Sequence, residues 1–192
     1  MQAAKRSHRC SIRPFYPALL VLAACAGDGT DGDRADDTGK GDDTGASTLP
    51  WVEDFDGDLG DGEIIELSWA WDAAVACWPG NEDANFTGTH QFFVVEQPPQ
   101  SLLTATVSPD NDVDANIYLL QFGGDVQVPP AVTGAVSCEA GYPQSTDSNP
   151  GQSDSASVTA LSNGYTVLVG IAGAEGHHAG AFSGTLDFSE YP

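Results

Sequence analysis

The chain is 192 residues long, room for one ordinary domain with extensions, and sets 6 Lys or Arg against 28 Asp or Glu, for a net charge of −22 at pH 7. Every basic side chain lies at or before Lys40 and seven of the acids precede position 49, so 49–192 holds 21 carboxylates and no Lys or Arg. Such a surface cannot neutralise phosphates, which excludes nucleic acid as a partner, and its self-repulsion is relieved by counter-ions or a bound divalent cation, or simply tolerated.

Residues 1–13 carry Lys5, Arg6, Arg9 and Arg13 and no acid, and an apolar run of about ten residues follows from Phe15 to Ala24. That run is too short for a spanning helix, which needs about 20 residues, and fits the apolar region of a signal peptide. Its end, Leu22-Ala23-Ala24-Cys25, resembles the lipobox of bacterial lipoproteins at all four positions. The resemblance implies a diacylglyceryl thioether on Cys25, cleavage just before it, and attachment to the membrane through the lipid. Two or more acyl chains give stable anchoring. Conventional cleavage nearby, releasing a soluble protein, is the alternative. No acid follows Cys25 directly, since Ala26 and Gly27 come next, and by the rule of enteric bacteria this favours the outer membrane.

The stretch "AGDGTDGDRADDTGKGDDTGAS" (26–47) has almost nothing to bury and reads as a disordered tether, with a mean reach of roughly 25 Å. The expected organisation is a signal peptide over 1–24, a lipidated acidic tether over 25–48 and one folded domain over 49–192. Cys77 and Cys138 form the remaining pair in the body, and in an exported chain one pair most simply means one disulfide. Two cysteines without partners at ligand spacing make zinc a poor rival.

From Leu49 onward the sequence reads as all-β. In "DFDGDLGDGE" (54–63), Asp54, Asp56 and Asp58 fit positions 1, 3 and 5 of an EF-hand loop, but Leu59 and Ile65 stand where Gly and Glu are required. An acidic, solvated turn is expected there, with a looser calcium loop as the other reading. Ile65, Leu67, Trp69, Trp71, Ala73, Val75 and Cys77 alternate with polar neighbours such as Glu66, Ser68 and Asp72, which predicts a half-buried strand bent or broken near Trp71. A short helix over "AWDAAVACW" (70–78) competes, because Trp71, Ala74, Val75 and Trp78 share a helical face. Seven more strands are predicted over 90–96, 101–107, 114–122, 131–138, 155–161, 165–171 and 181–188, separated by Gly-, Pro- and Asn-rich turns. Short strands with frequent turns point to a sandwich or barrel.

The segments "HQFFVVEQPPQSLLTATV", "DVDANIYLL" and "NGYTVLVGI" with the closing "GAFSGTLDF" resemble the bacterial pre-peptidase C-terminal domain over about 85–188. That resemblance implies a jelly-roll-like antiparallel β-sandwich serving as an accessory or binding module. The chain departs from the family pattern in "VDANIYLL", where two residues separate the Asp from the apolar run, and no peptidase domain is evident.

"PDNDVDAN" (109–116) is the better cation candidate: Asp110, Asp112 and Asp114, with Asn111 and Asn116, offer hard oxygens within one turn. Calcium needs such oxygens 2.3–2.6 Å from the ion, whereas alternate residues of a straight strand stand about 6.6 Å apart, so the loop must curve to converge them. The rival reading is a plain turn whose Asx side chains bond their own backbone. His90, His177 and His178 are the general-base candidates of the mature chain, the last two in a Gly-rich turn. "GQSDS" (151–155) lacks the second Gly of a nucleophile elbow, and acidic pairs leave a glycosidase dyad open. Of Trp51, Trp69, Trp71 and Trp78, the middle two are expected in the core and Trp78, beside Pro79 and Gly80, at the surface as a ligand-binding candidate.

The expected function is an envelope-anchored lipoprotein displaying a non-catalytic interaction or structural module, with calcium as its candidate stabilising ion. Its expected partners are the membrane and an extracellular protein or polysaccharide. A carbohydrate-binding module using exposed Trp is the first alternative and a small secreted hydrolase the second.

Overall fold

The structure, a computed structural model, describes residues 52–143 and 149–191. The expected signal peptide over 1–24, Cys25, the expected tether over 25–48 and Trp51 lie outside the described residues. The described residues hold nine strands: β1 (Asp54–Asp58), β2 (Glu63–Ile64), β3 (Thr89–Gln97), β4 (Ser101–Pro109), β5 (Ala115–Phe122), β6 (Ser137–Gly141), β7 (Asp154–Ala160), β8 (Tyr165–Gly173) and β9 (Ala181–Glu190). They form a four-stranded sheet in the order β1-β9-β4-β7 and a five-stranded sheet in the order β2-β3-β8-β5-β6. Every pairing is antiparallel, and the two sheets pack face to face as an all-β sandwich. Among the described residues no helix is long and apolar enough to cross a membrane.

Alternation sets the first core. Leu103, Ala105 and Val107 of β4 and Ala156 and Val158 of β7 point inward to meet Ile117 and Leu119 of β5 and Val167, Val169 and Ile171 of β8. Outward hydroxyls on β4 bond in pairs with those on β7 and just before it: Thr104 with Ser157 at 2.9 Å, Thr106 with Ser155 at 2.7 Å and Ser108 with Ser153 at 2.8 Å. Gln121 Nε2 donates to Gln97 Oε1 at 2.7 Å and Gln97 Nε2 to the Val158 carbonyl at 2.8 Å, so buried amides tie one sheet to the other.

The central strands of the five-stranded sheet are buried on both faces, and all eight residues of β5 are buried. Its outer face carries Val94, Tyr118, Leu120, Phe122 and Leu168, covered by Leu67, Trp69, Phe86, Val132 and Ala135 from two long connections. A Cβ on Gly170 would stand 2.3 Å from the Tyr118 ring, so this strand position must be bare for the phenol to lie across the sheet. The Cys77–Cys138 disulfide is formed, spans 61 residues, and ties the covering segment to β6.

Three expectations are corrected. The stretch 65–77 is not a strand: after β2 it forms the one-turn helix α1 (Ser68–Trp71), then runs irregularly to a second short helix, α2 (Trp78–Asn81). The helix expected over 70–78 falls between these two turns. Odd positions still face inward at Leu67, Trp69 and Cys77, but the backbone covers a sheet rather than joining one, so burial alternates without a ladder. The acidic turn at 54–63 contains β1, paired with β9 and anchored by buried Phe55 and Leu59. The strand expected at 131–138 begins at Ser137; 131–136 is a covering loop that buries Val132 and Ala135.

Candidate functional site

Two regions hold the residues singled out by sequence, and they differ in character. At one end of the sandwich the β4–β5 connection turns through Asp110, whose carbonyl accepts the Val113 N–H at 2.9 Å. Asp110 and Asp112 are exposed, whereas Asp114 is buried just ahead of β5. The Asp114 carboxylate accepts the Asn149 N–H at 2.9 Å and stands 3.5 Å from the Asn116 amide nitrogen. Its backbone N–H donates to His177 Nδ1 at 3.2 Å and its carbonyl accepts from Ala174 at 3.0 Å. Asp114 thus ties together three chain segments, a structural task that also occupies His177.

Asp154, at the start of β7, is half-buried; burial first, and then the nearby Asp114 charge, push its carboxyl up to about 6. Asn116 is fully buried, its Nδ2 donating to the Asn85 carbonyl at 2.8 Å. Among the described residues no three His, Cys, Asp or Glu side chains are grouped as metal ligands. The structure therefore brings Asp114 together with Asn149, Asn116 and Asp154, and leaves Asp110 and Asp112 in solvent.

The acids of β1 are also placed apart. Asp54 and Asp56 are exposed on a straight strand, where alternate residues stand about 6.6 Å apart. The Asp58 carboxylate accepts from Gly180 N–H at 2.9 Å and Gly60 N–H at 2.8 Å, which holds it below the usual carboxylate range. That carboxylate pins the end of β1 to the β8–β9 connection.

The second region lies on the layer covering the five-stranded sheet. Trp69 is buried against Tyr118, their ring centroids 5.9 Å apart, as its alternation implied. Trp71 is 66% exposed, against the expectation of core burial, and Trp78 is 42% exposed, as its Pro-Gly neighbours suggested. The single helical turn of α1 explains the reversal: two residues beyond Trp69 the chain has rotated about 200°, so Trp71 faces outward. Together with Ile64, which is 64% exposed at the sheet edge, Trp71 lines an open groove of about 350 Å³ shared with Glu66, Ser68, Asp83 and Thr87. Large aromatic side chains are seldom left this bare.

Both walls of the groove are fixed from below. Leu67, Trp69 and Ala70 are buried on the near side, and Phe86, fully buried between Asp83 and the sheet, holds the far side. The Phe86 carbonyl accepts the His90 Nε2–H at 2.9 Å, and the Cys77–Cys138 disulfide ties the chain between the two walls to β6. The sequence signal for this site was present in Trp71 itself, but strand periodicity assigned that residue to the core. Comparison of the chain with protein-family models, curated proteins and solved structures yields no match.

Proposed function

We propose that the chain is a bacterial envelope lipoprotein, held through Cys25 on a flexible acidic tether, whose β-sandwich serves as a non-catalytic interaction module. The observation that carries the interaction role is the exposure of Ile64 and Trp71 together on a layer that buried side chains and a disulfide hold rigid. A groove formed before its partner arrives avoids the ordering cost of a mobile loop. The disulfide supports export, because such bonds persist in oxidising compartments. The lipobox-like Leu22-Ala23-Ala24-Cys25 supports the anchor, and the absence of Lys and Arg beyond Lys40 restricts partners to neutral or cationic surfaces. The resemblance to the pre-peptidase C-terminal domain supports an accessory role rather than a reaction. Calcium enters this reading as a stabilising counter-ion for the carboxylates of 49–192.

Mass spectrometry of the protein extracted from native membranes tests the anchor. The expected species begins at Cys25 and carries acyl mass on that residue, and Cys25→Ser moves the protein to the soluble fraction. An unacylated chain retaining residues 1–24 overturns the proposal.

A further inference from the structure

We infer that the Trp71 groove is a subsite for an uncharged polysaccharide, with the indole of Trp71 as the platform on which a sugar ring stacks. This inference rests on the interaction-module reading and adds the class of ligand. The argument begins with what the groove can accept. Its apolar members, Ile64, Ile65, Leu67 and Trp71, of which Ile64 and Trp71 are the exposed pair, favour a ligand with a flat face of C–H groups. Its polar members are Glu66, Ser68, Asp83 and Thr87. Ionised, the two carboxylates can only accept hydrogen bonds, and the two hydroxyls can donate or accept. The complementary ligand therefore presents several O–H donors beside an apolar face, and a pyranose ring has that combination.

Charge narrows the class. With no Lys or Arg anywhere in 41–192, a uronic-acid or sulfated polymer meets two carboxylates in the groove and a wholly acidic surface around it. A protein partner fits less well. Specific protein interfaces bury about 800 Å² on each side and deplete charge at their centre, whereas here Glu66 and Asp83 sit beside the exposed ring. The fixed walls described above suit stacking, which requires the aromatic platform to be held in place before the ligand arrives.

The test uses the purified full-length protein in detergent micelles, mixed with suspended microcrystalline cellulose, chitin or covalently cross-linked alginate beads and then cleared by centrifugation. Cellulose or chitin is expected to deplete the protein from solution, and alginate to leave it there. Trp71→Ala is expected to weaken that binding at least about tenfold, with Trp71→Phe retaining most of it and Trp78→Ala leaving it unchanged. Because Trp71 is largely solvated, the unfolding midpoint of Trp71→Ala should match the wild type, which separates lost binding from lost fold. Failure of the wild type to bind cellulose or chitin overturns the inference, as does equal binding by Trp71→Ala. Sedimentation of the same samples separates this failure from that of the broader reading. A wild type that ignores all three polymers but self-associates through Trp71 sinks the polysaccharide and keeps the interaction module; a Trp71→Ala variant unchanged in both assays sinks both.

Discussion

The imidazole of His90 is held between two buried partners, with Nδ1 3.0 Å from the Tyr118 hydroxyl and Nε2 2.9 Å from the Phe86 carbonyl. A carbonyl can only accept, so Nε2 carries the proton and Nδ1 accepts from the phenol. Burial drives the His90 pKa from 6.5 down to about 4, only partly offset by the bond to Phe86. Between those values the unfolded chain binds a proton that the native chain refuses, so stability is complete above about pH 6.5 and declines as the pH falls towards 4. The gap corresponds to about 3 kcal/mol. Urea unfolding at stepped pH should show this loss in the wild type, and His90→Gln should abolish that part of the slope even if its stability at neutral pH is lower. An unchanged slope in His90→Gln would exclude the buried neutral imidazole as its source.

Asp154 works in the opposite sense over nearly the same window. Its native pKa, raised to about 6 from an ordinary 3.8, means the folded chain holds a proton that the unfolded chain has released. Stability from this group is complete below about pH 3.8 and is lost as the pH rises through 6. At a half-buried site, solvent screening reduces the effect to about 1–2 kcal/mol. Asp154→Asn is therefore expected to stabilise the protein at pH 7 and to leave it unaltered at pH 3.5. In that variant the acid loss due to His90 should stand out more steeply, because the compensating group is gone.

The Cys77–Cys138 bond closes a chain separation of 61 residues, which by the loop-entropy estimate contributes about 4 kcal/mol. Its structural effect should be uneven. The inter-sheet core, built on Leu103, Ile117 and Val169, is independent of the covering layer, whereas Leu67, Trp69 and Phe86 depend on that layer staying seated. In Cys77→Ser/Cys138→Ser, hydrogen exchange should accelerate most over 65–88 and least in β5 and β8. Uniform acceleration across both regions would show that sheet and cover unfold as one unit.

What the sequence made legible follows from which physics was local. Strands β4, β7 and β9 were readable because each buries one face against a core, which imposes a period of two, whereas β3, β5 and β8 were readable as short apolar runs bounded by turn residues. β1 was hidden because four of its five residues are Asp or Gly; only Phe55 marks the inward face, and pairing with β9 supplies the rest. In 65–77 the period of two was present in the burial except at Ala70 and Trp71, but nothing in the residues reported that the segment lacks a hydrogen-bonded neighbour strand. That is a long-range property, set by where the disulfide and the sheet place the chain. The exposure of Trp71 depends on a single helical turn, too short to leave a periodicity of its own. Convergence of Asp114 with Asn149 and Asp154 likewise depends on residues 35 and 40 positions away, beyond any motif.

The role of calcium can be decided by separating screening from chelation. A domain with 21 carboxylates and no Lys or Arg repels itself, so sodium chloride should raise the unfolding midpoint as the screening length contracts from about 10 Å at 0.1 M to about 3 Å at 1 M. Calcium at matched ionic strength is expected to raise it further, because a divalent ion can neutralise two carboxylates at once, and EDTA should reverse the increment. The sequence places such an ion on Asp110, Asp112 and Asp114, yet the first two stand in solvent while the third is turned inward to the Asn149 amide. The expected result is therefore that Asp112→Asn keeps the calcium increment, marking it as dispersed over the acidic surface. Loss of the increment in Asp112→Asn would instead mean that the 110–114 loop closes around the ion. Identical midpoints in calcium and EDTA would remove calcium from the protein's function altogether.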